Sequence, residues 1–222
     1  MSAILSLQAL RWLVRDTFRQ AFTSAASWLL FAGSVACVVG CLVAPLDGPA
    51  AVYALQQQLA GWAVHVVGLL LALVLTAGML PAFLDQHAAP VLLAKPVGRA
   101  TLLAGKFLGV LAFVAVHAAV FVGGVWLVLG ARSGVWDAAF LLCAPLLVLH
   151  FAVFFSFSAM LASATRNTAA CVFGTVLFWL LCWGMNFGRH SATATLDPHT
   201  LSPAFGWTID AAYWILPKPL DF

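Results

Sequence analysis

The chain has 222 residues, of which 64% are hydrophobic and only 8% charged, and its mean hydropathy is +1.05. Soluble domains carry about 25% charged residues, so this composition belongs to an integral membrane protein. Ten Lys and Arg stand against seven Asp and no Glu, for a net charge of +3. No basic run is interleaved with aromatics, which excludes a nucleic-acid surface.

The first 20 residues place Leu10, Trp12, Leu13, Val14 and Phe18 around Arg11, Arg15 and Arg19, which recur every four residues along one helical edge. This pattern predicts an amphipathic helix lying along the cytoplasmic interface, its apolar side in lipid and its arginines among headgroups. It is no cleaved signal, because the arginines lead into a full-length apolar run.

Residues 21–187 form the membrane domain. Five apolar runs, at about 22–44, 61–83, 107–129, 138–164 and 169–187, each come close to or exceed the roughly 20 helical residues that cross a hydrocarbon core. The runs are continuous and do not alternate polar with apolar, which predicts helices and argues against a β-barrel. The expected fold is therefore an all-α membrane bundle. Cys37, Cys41, Cys143, Cys171 and Cys182 fall inside these runs without CxxC spacing and read as packing residues.

The loops carry the orientation. Arg11, Arg15 and Arg19 precede the first run, Lys95, Arg99 and Lys106 lie between or at the edge of the second and third, and Arg166 separates the fourth and fifth. The stretch 47–60 has neither Lys nor Arg, and the loop after the third run has only Arg132. The positive-inside bias puts the N-terminus in the cytoplasm. Five crossings then leave 188–222 on the outer side, where Trp207, Tyr213 and Trp214 suit an interfacial or re-entrant segment too short to span.

The most charged joint lies at about 85–105 and contains Asp85, His87, Lys95 and Arg99, with Lys106 just beyond. Pro90 and Pro96 forbid one continuous helix through it. Between them Val91, Leu92 and Leu93 offer an apolar knob flanked by Lys95 and Arg99. Such a knob can seat in a groove of a partner subunit; the alternative is an ordinary loop that dips its leucines into the membrane interface. The run from Gly98 to Phe107 fails as a phosphate loop, with six residues between its glycines and Phe107 where a hydroxyl must reach Mg²⁺. Energy has to come from elsewhere.

Inside the runs, small residues at Gly105/Gly109, Gly184/Gly188 and Ala32/Ala36/Gly40 have the spacing of close helix contacts. His117 and His150 are the deep ionisable groups, with His65 nearer an outer edge. Both deep residues are either hydrogen-bonded bundle residues or part of a substrate path or haem contact. No HxxxH or HExxH spacing occurs and no acidic residue lies at a span centre, so neither metal nor cofactor is expected and hydrolytic chemistry lacks its reagents.

The stretch Val91-Leu92-Leu93-Ala94-Lys95-Pro96-Val97-Gly98-Arg99, with Leu102-Leu103-Ala104-Gly105-Lys106-Phe107-Leu108-Gly109 after it, resembles the LL(S/A)KPVxR and LLGKFLG segment of ABC-2 type permeases. The likeness is greatest to the branch that includes the nitrous-oxide-reductase maturation permease. Residues 212–219 are similar to outer-side segments of related bacterial permeases. The resemblance implies a non-catalytic subunit of the bacterial inner membrane, usually with six spans, that forms a homodimer or pairs with a second permease. It also implies two cytosolic ATPase subunits, engaged by a coupling helix between spans two and three.

On that resemblance Asp85, Val91, Leu92, Leu93, Lys95, Pro96, Arg99 and Lys106 are the candidate coupling residues. The chain departs from the family in two respects: the sixth span is missing, which creates the expectation of a further span past Phe222, and Asp85 alone stands for the acidic residue before the coupling segment. The functional expectation is an ABC exporter permease. The alternatives are a haem-exporter-type permease of cytochrome c maturation and a membrane scaffold without transport.

Overall fold

A computed structural model of the chain describes residues 3–79 and 99–195, together with Trp207, Ala211 and Trp214. Every element among the described residues is helical. Helix α1 (Ala3–Phe22) joins α2 (Ala25–Val43) through a bend of 63°. The bend has a local cause. The Thr23 hydroxyl donates to the Arg19 and Gln20 carbonyls and the Ser24 hydroxyl to the Ala21 carbonyl, bonds that compete with the helical ladder.

The next span consists of α3 (Pro49–Gln58), a π-helical stretch (Leu59–Gly68) and α4 (Leu69–Ala77), together 29 residues. It begins where Gly48 adopts φ 97°, a conformation that favours glycine, and Pro49 supplies the fixed φ of a first turn. The sequence predicted a loop over 47–60 and a span from 61. The structure extends the helix back to Pro49. Hydropathy was misled by the polar run Gln56-Gln57-Gln58, yet Gln56 is buried on the inner face of the helix.

Helix α5 (Arg99–Ser133) is 35 residues long, well beyond the predicted 107–129. A short 3₁₀ turn (Ala138–Leu142), capped by Asp137 Oδ1 accepting from the Ala139 amide at 3.0 Å, leads into α6 (Cys143–Thr165). A two-residue turn follows. Arg166 takes the left-handed conformation (φ 52°) and closes α6, and Asn167 Oδ1 accepts from the Ala169 amide at 2.9 Å to start α7 (Thr168–Thr195). Helix α7 passes the predicted end at 187, because the backbone ladder continues after the apolar run stops. Of the predicted outer tail 188–222, residues up to Thr195 are thus helical, and Trp207 and Trp214 are exposed.

Four helical segments are long and apolar enough to cross a membrane by themselves: Pro49–Ala77, Ala100–Ser133, Ala138–Thr165 and Thr168–Met185. The bent pair α1 and α2 supplies the fifth when counted as one span. Contacts fix the relative directions. Gly105 faces Leu13, Gly109 faces Thr17, Gly124 faces Val38, and Arg132 reaches Cys41, so α1 and α2 together run parallel to α5 along its length. Helices α6 and α7 are antiparallel, with Leu161 against Gly174 and Phe157 stacked on Phe178. Gly78, at the end of α4, meets Thr168 at the start of α7.

The core is aromatic. Phe113, Phe151, Phe154 and Phe155 are fully buried, with Phe155 stacked on both Phe107 (5.3 Å) and Phe151 (5.1 Å) and Phe154 edge-on to Phe178 (5.7 Å). These contacts tie α5, α6 and α7 together. Large apolar side chains such as Trp28, Val43 and Phe173 point outward, which is the arrangement of a protein solvated by lipid.

Candidate functional site

One end of the bundle gathers α1, the C-terminus of α4, the N-terminus of α5 and the turn between α6 and α7. The predicted coupling residues Asp85, Val91, Leu92, Leu93, Lys95 and Pro96 lie outside the described residues. Arg99 is the first residue of α5.

The base of α5 is held by α1. A Cβ added at Gly105 would come within 2.6 Å of Leu13 Cβ, and one at Gly109 within 2.5 Å of Thr17 Cβ and 3.0 Å of the Val14 carbonyl. Close approach of two helices in lipid depends on such absent side chains. The apolar edge predicted to lie in lipid is therefore largely spent on protein: Thr17 and Ala21 are buried, Leu13, Val14 and Phe18 are half-buried, and Arg11, Arg15 and Arg19 face outward. Lys106, counted with the coupling segment from sequence, is held inside this contact, where its Nζ donates to Gln20 Oε1 at 3.2 Å. A buried ammonium needs such acceptors. Its placement makes it a brace between α1 and α5.

His117 sits higher on α5. Its Nδ1 lies 3.0 Å from the Phe113 carbonyl, which can only accept, so Nδ1 carries the proton. Nε2 lies 3.1 Å from the Ser27 hydroxyl, so both ring nitrogens are hydrogen-bonded. His117 also borders an apolar cavity of about 230 Å³ between α2, the π-helical stretch and α5, lined by Gly33, Val67, Gly68 and Phe121 among others. His150 is elsewhere. Its ring lies edge-on to His65 at 5.7 Å, and His65 Nδ1 donates to the Ala60 carbonyl five residues back at 2.6 Å, within the widened π turn. The fold thus pairs His150 with His65 and not with His117. No sequence spacing signals that pair, since the two residues are brought together only by packing.

The remaining predicted packing glycines behave differently. Gly184 and Gly188 have open space where a side chain would project, with nothing among the described residues within 4 Å. Gly40 and Gly33 on α2 are likewise open. At the opposite end of the bundle, Arg132 Nη1 donates to the Cys41 carbonyl at 2.6 Å and the Ala44 carbonyl at 3.0 Å, closing the C-terminus of α2. Among the described residues no group of His, Cys and Asp side chains has the arrangement of a metal site.

What the helices, the lipid-facing surface and the braced end of α5 define is a multi-pass helical membrane protein. The family model for ABC-2 family transporter protein matches residues 4–208, and the chain belongs to that family. It is accordingly a membrane permease subunit of an ABC transporter. No curated protein and no solved structure matches it.

Proposed function

We propose that this permease is an exporter of the bacterial inner membrane that takes its energy from a separate cytosolic ATPase, seated on the segment 85–105. The N-terminus lies in the cytoplasm, the permease acts as a homodimer or with a paired permease, and its nearest functional kin is the nitrous-oxide-reductase maturation branch. One observation carries the reading. Among the described residues Arg11, Arg15, Arg19, Arg99, Lys106 and Arg166 all belong to one end of the bundle, whereas the other end has Arg132, bonded to the carbonyls of α2, and Arg189 near the C-terminus of α7. The positive-inside bias therefore favours the first end by six cations to two among the described residues.

The mechanical part follows from α5. A push on the segment before Arg99 enters a 35-residue helix already clamped to α1 at Gly105 and Gly109, so α1, α2 and α5 move as one lever. If Val91, Leu92 and Leu93 seat in an ATPase groove, replacing Leu92 and Leu93 together by Asp leaves insertion intact. It abolishes ATPase copurification, because two carboxylates would be buried without partners at several kcal/mol each. Neutralising Lys95 and Arg99 has the smaller effect expected of rim charges. Wild-type copurification with the double Asp variant returns the segment to an ordinary loop.

A further inference from the structure

A groove of about 740 Å³ runs between the outer edge of α1 and α5, and its walls include Leu10, Arg11, Trp12, Arg15, Phe18 and Ala112. Two arginines and several apolar side chains line it together. Arg15 lies over the Trp12 ring at 6.0 Å, and no carboxylate among the described residues pairs with either arginine. A groove lined by both cations and apolar groups calls for an amphipathic anion.

The depth of the groove specifies which kind. With Ser133, the far end of α5, at the outer face of a bilayer roughly 40–45 Å thick overall, Ala112 lies 21 residues in from it, about 32 Å at 1.5 Å per residue, inside the acyl region near its cytoplasmic boundary. Leu13 meets α5 at Gly105, about 42 Å from that same end and so among the headgroups of a bilayer roughly 40–45 Å thick overall. Arg11 and Arg15 flank Leu13 in sequence, while Phe18 and Ala112 lie at the boundary of the acyl region. The groove thus presents charge at headgroup depth and carbon at chain depth. Trp12, exposed beside the arginines, is the residue type that prefers this interface.

We infer that this groove is a binding site for one anionic phospholipid, its phosphate held by Arg11 and Arg15 and the start of an acyl chain laid along Phe18 and Ala112. Non-specific attraction of a basic helix to a charged surface would not need the groove. A built site binds one lipid and keeps it when the bilayer is removed.

The test is native mass spectrometry of the full-length protein released from nanodiscs of mixed phosphatidylcholine and phosphatidylglycerol. The wild type should retain one phosphatidylglycerol with about a tenfold preference over phosphatidylcholine. Arg11→Gln with Arg15→Gln should bring that preference to about one, while Arg19→Gln with Arg166→Gln, which removes an equal charge from the same end, and Arg166→Gln alone should leave it unchanged. Ala112→Leu, with both guanidiniums intact, should lower retention by narrowing the floor. Soluble glycerol phosphate should not displace the lipid. Undiminished preference in Arg11→Gln with Arg15→Gln, an equal loss in Arg19→Gln with Arg166→Gln or in Arg166→Gln alone, or displacement by glycerol phosphate would each overturn the assignment.

Discussion

The two ends of the bundle are built on different rules. At one end α1 runs alongside α5, the glycines at 105 and 109 admit Leu13 and Thr17, Lys106 is held inside, and Arg11, Arg15, Arg19 and Arg166 stand on the outside of the fold. At the other end the links are short, 44–48 and 134–137, Arg132, though exposed, donates to two carbonyls at the end of α2, and Arg189 lies on the last turns of α7. The contrast teaches that a charge count reads orientation only where the charges are available to the surroundings. Arg132 would weaken the positive-inside argument if it were free. Bound to two carbonyls, it is a cap.

The largest test breaks the first end. Gly109→Leu puts a branched side chain where Thr17 and the Val14 carbonyl already stand, and overpacking of this kind costs about 1–3 kcal/mol or forces α1 away. The same substitution at Gly184 meets open space within the protomer and should change stability by less than about 0.5 kcal/mol. Thermal unfolding of the detergent-solubilised protein reads both. Equal losses at the two positions would mean that Gly109 is not a special contact.

A somewhat smaller loss is expected at the second end. Arg132→Met removes two bonds to the α2 terminus made by an exposed side chain and should cost about 0.5–1.5 kcal/mol, the usual net range for a hydrogen bond. Arg132→Lys should recover part of this, since an ammonium is a point charge without the guanidinium fork. Neither change should reverse the orientation of the chain in the membrane. Unfolding midpoints and protease accessibility of the two variants report the cost and the orientation separately.

Much of this contrast was legible in the sequence. Continuous apolar runs predicted the helical bundle, and the placement of Lys and Arg divided its two ends. Three things escaped. Gln56, Gln57 and Gln58 hid the first turns of a span because hydropathy scores a residue without knowing which face it occupies. The apolar edge of α1 was read as lipid-facing, since periodicity reveals an apolar stripe but not whether lipid or protein covers it. The contacts of Lys106 with Gln20, Ser27 with His117 and His65 with His150 join residues 85 to 90 positions apart, distances at which no local pattern speaks.

The central claim, that the braced and cationic end faces the cytoplasm where an ATPase can reach it, is tested most directly by cysteine accessibility in intact cells. In a background from which Cys37, Cys41, Cys143, Cys171 and Cys182 have been removed, Arg99→Cys and Arg166→Cys should react with a membrane-permeant maleimide and be protected from an impermeant one. Asp47→Cys, exposed in the link after α2, should react with the impermeant reagent. Labelling of positions 99 and 166 from outside, with position 47 protected, would contradict the account.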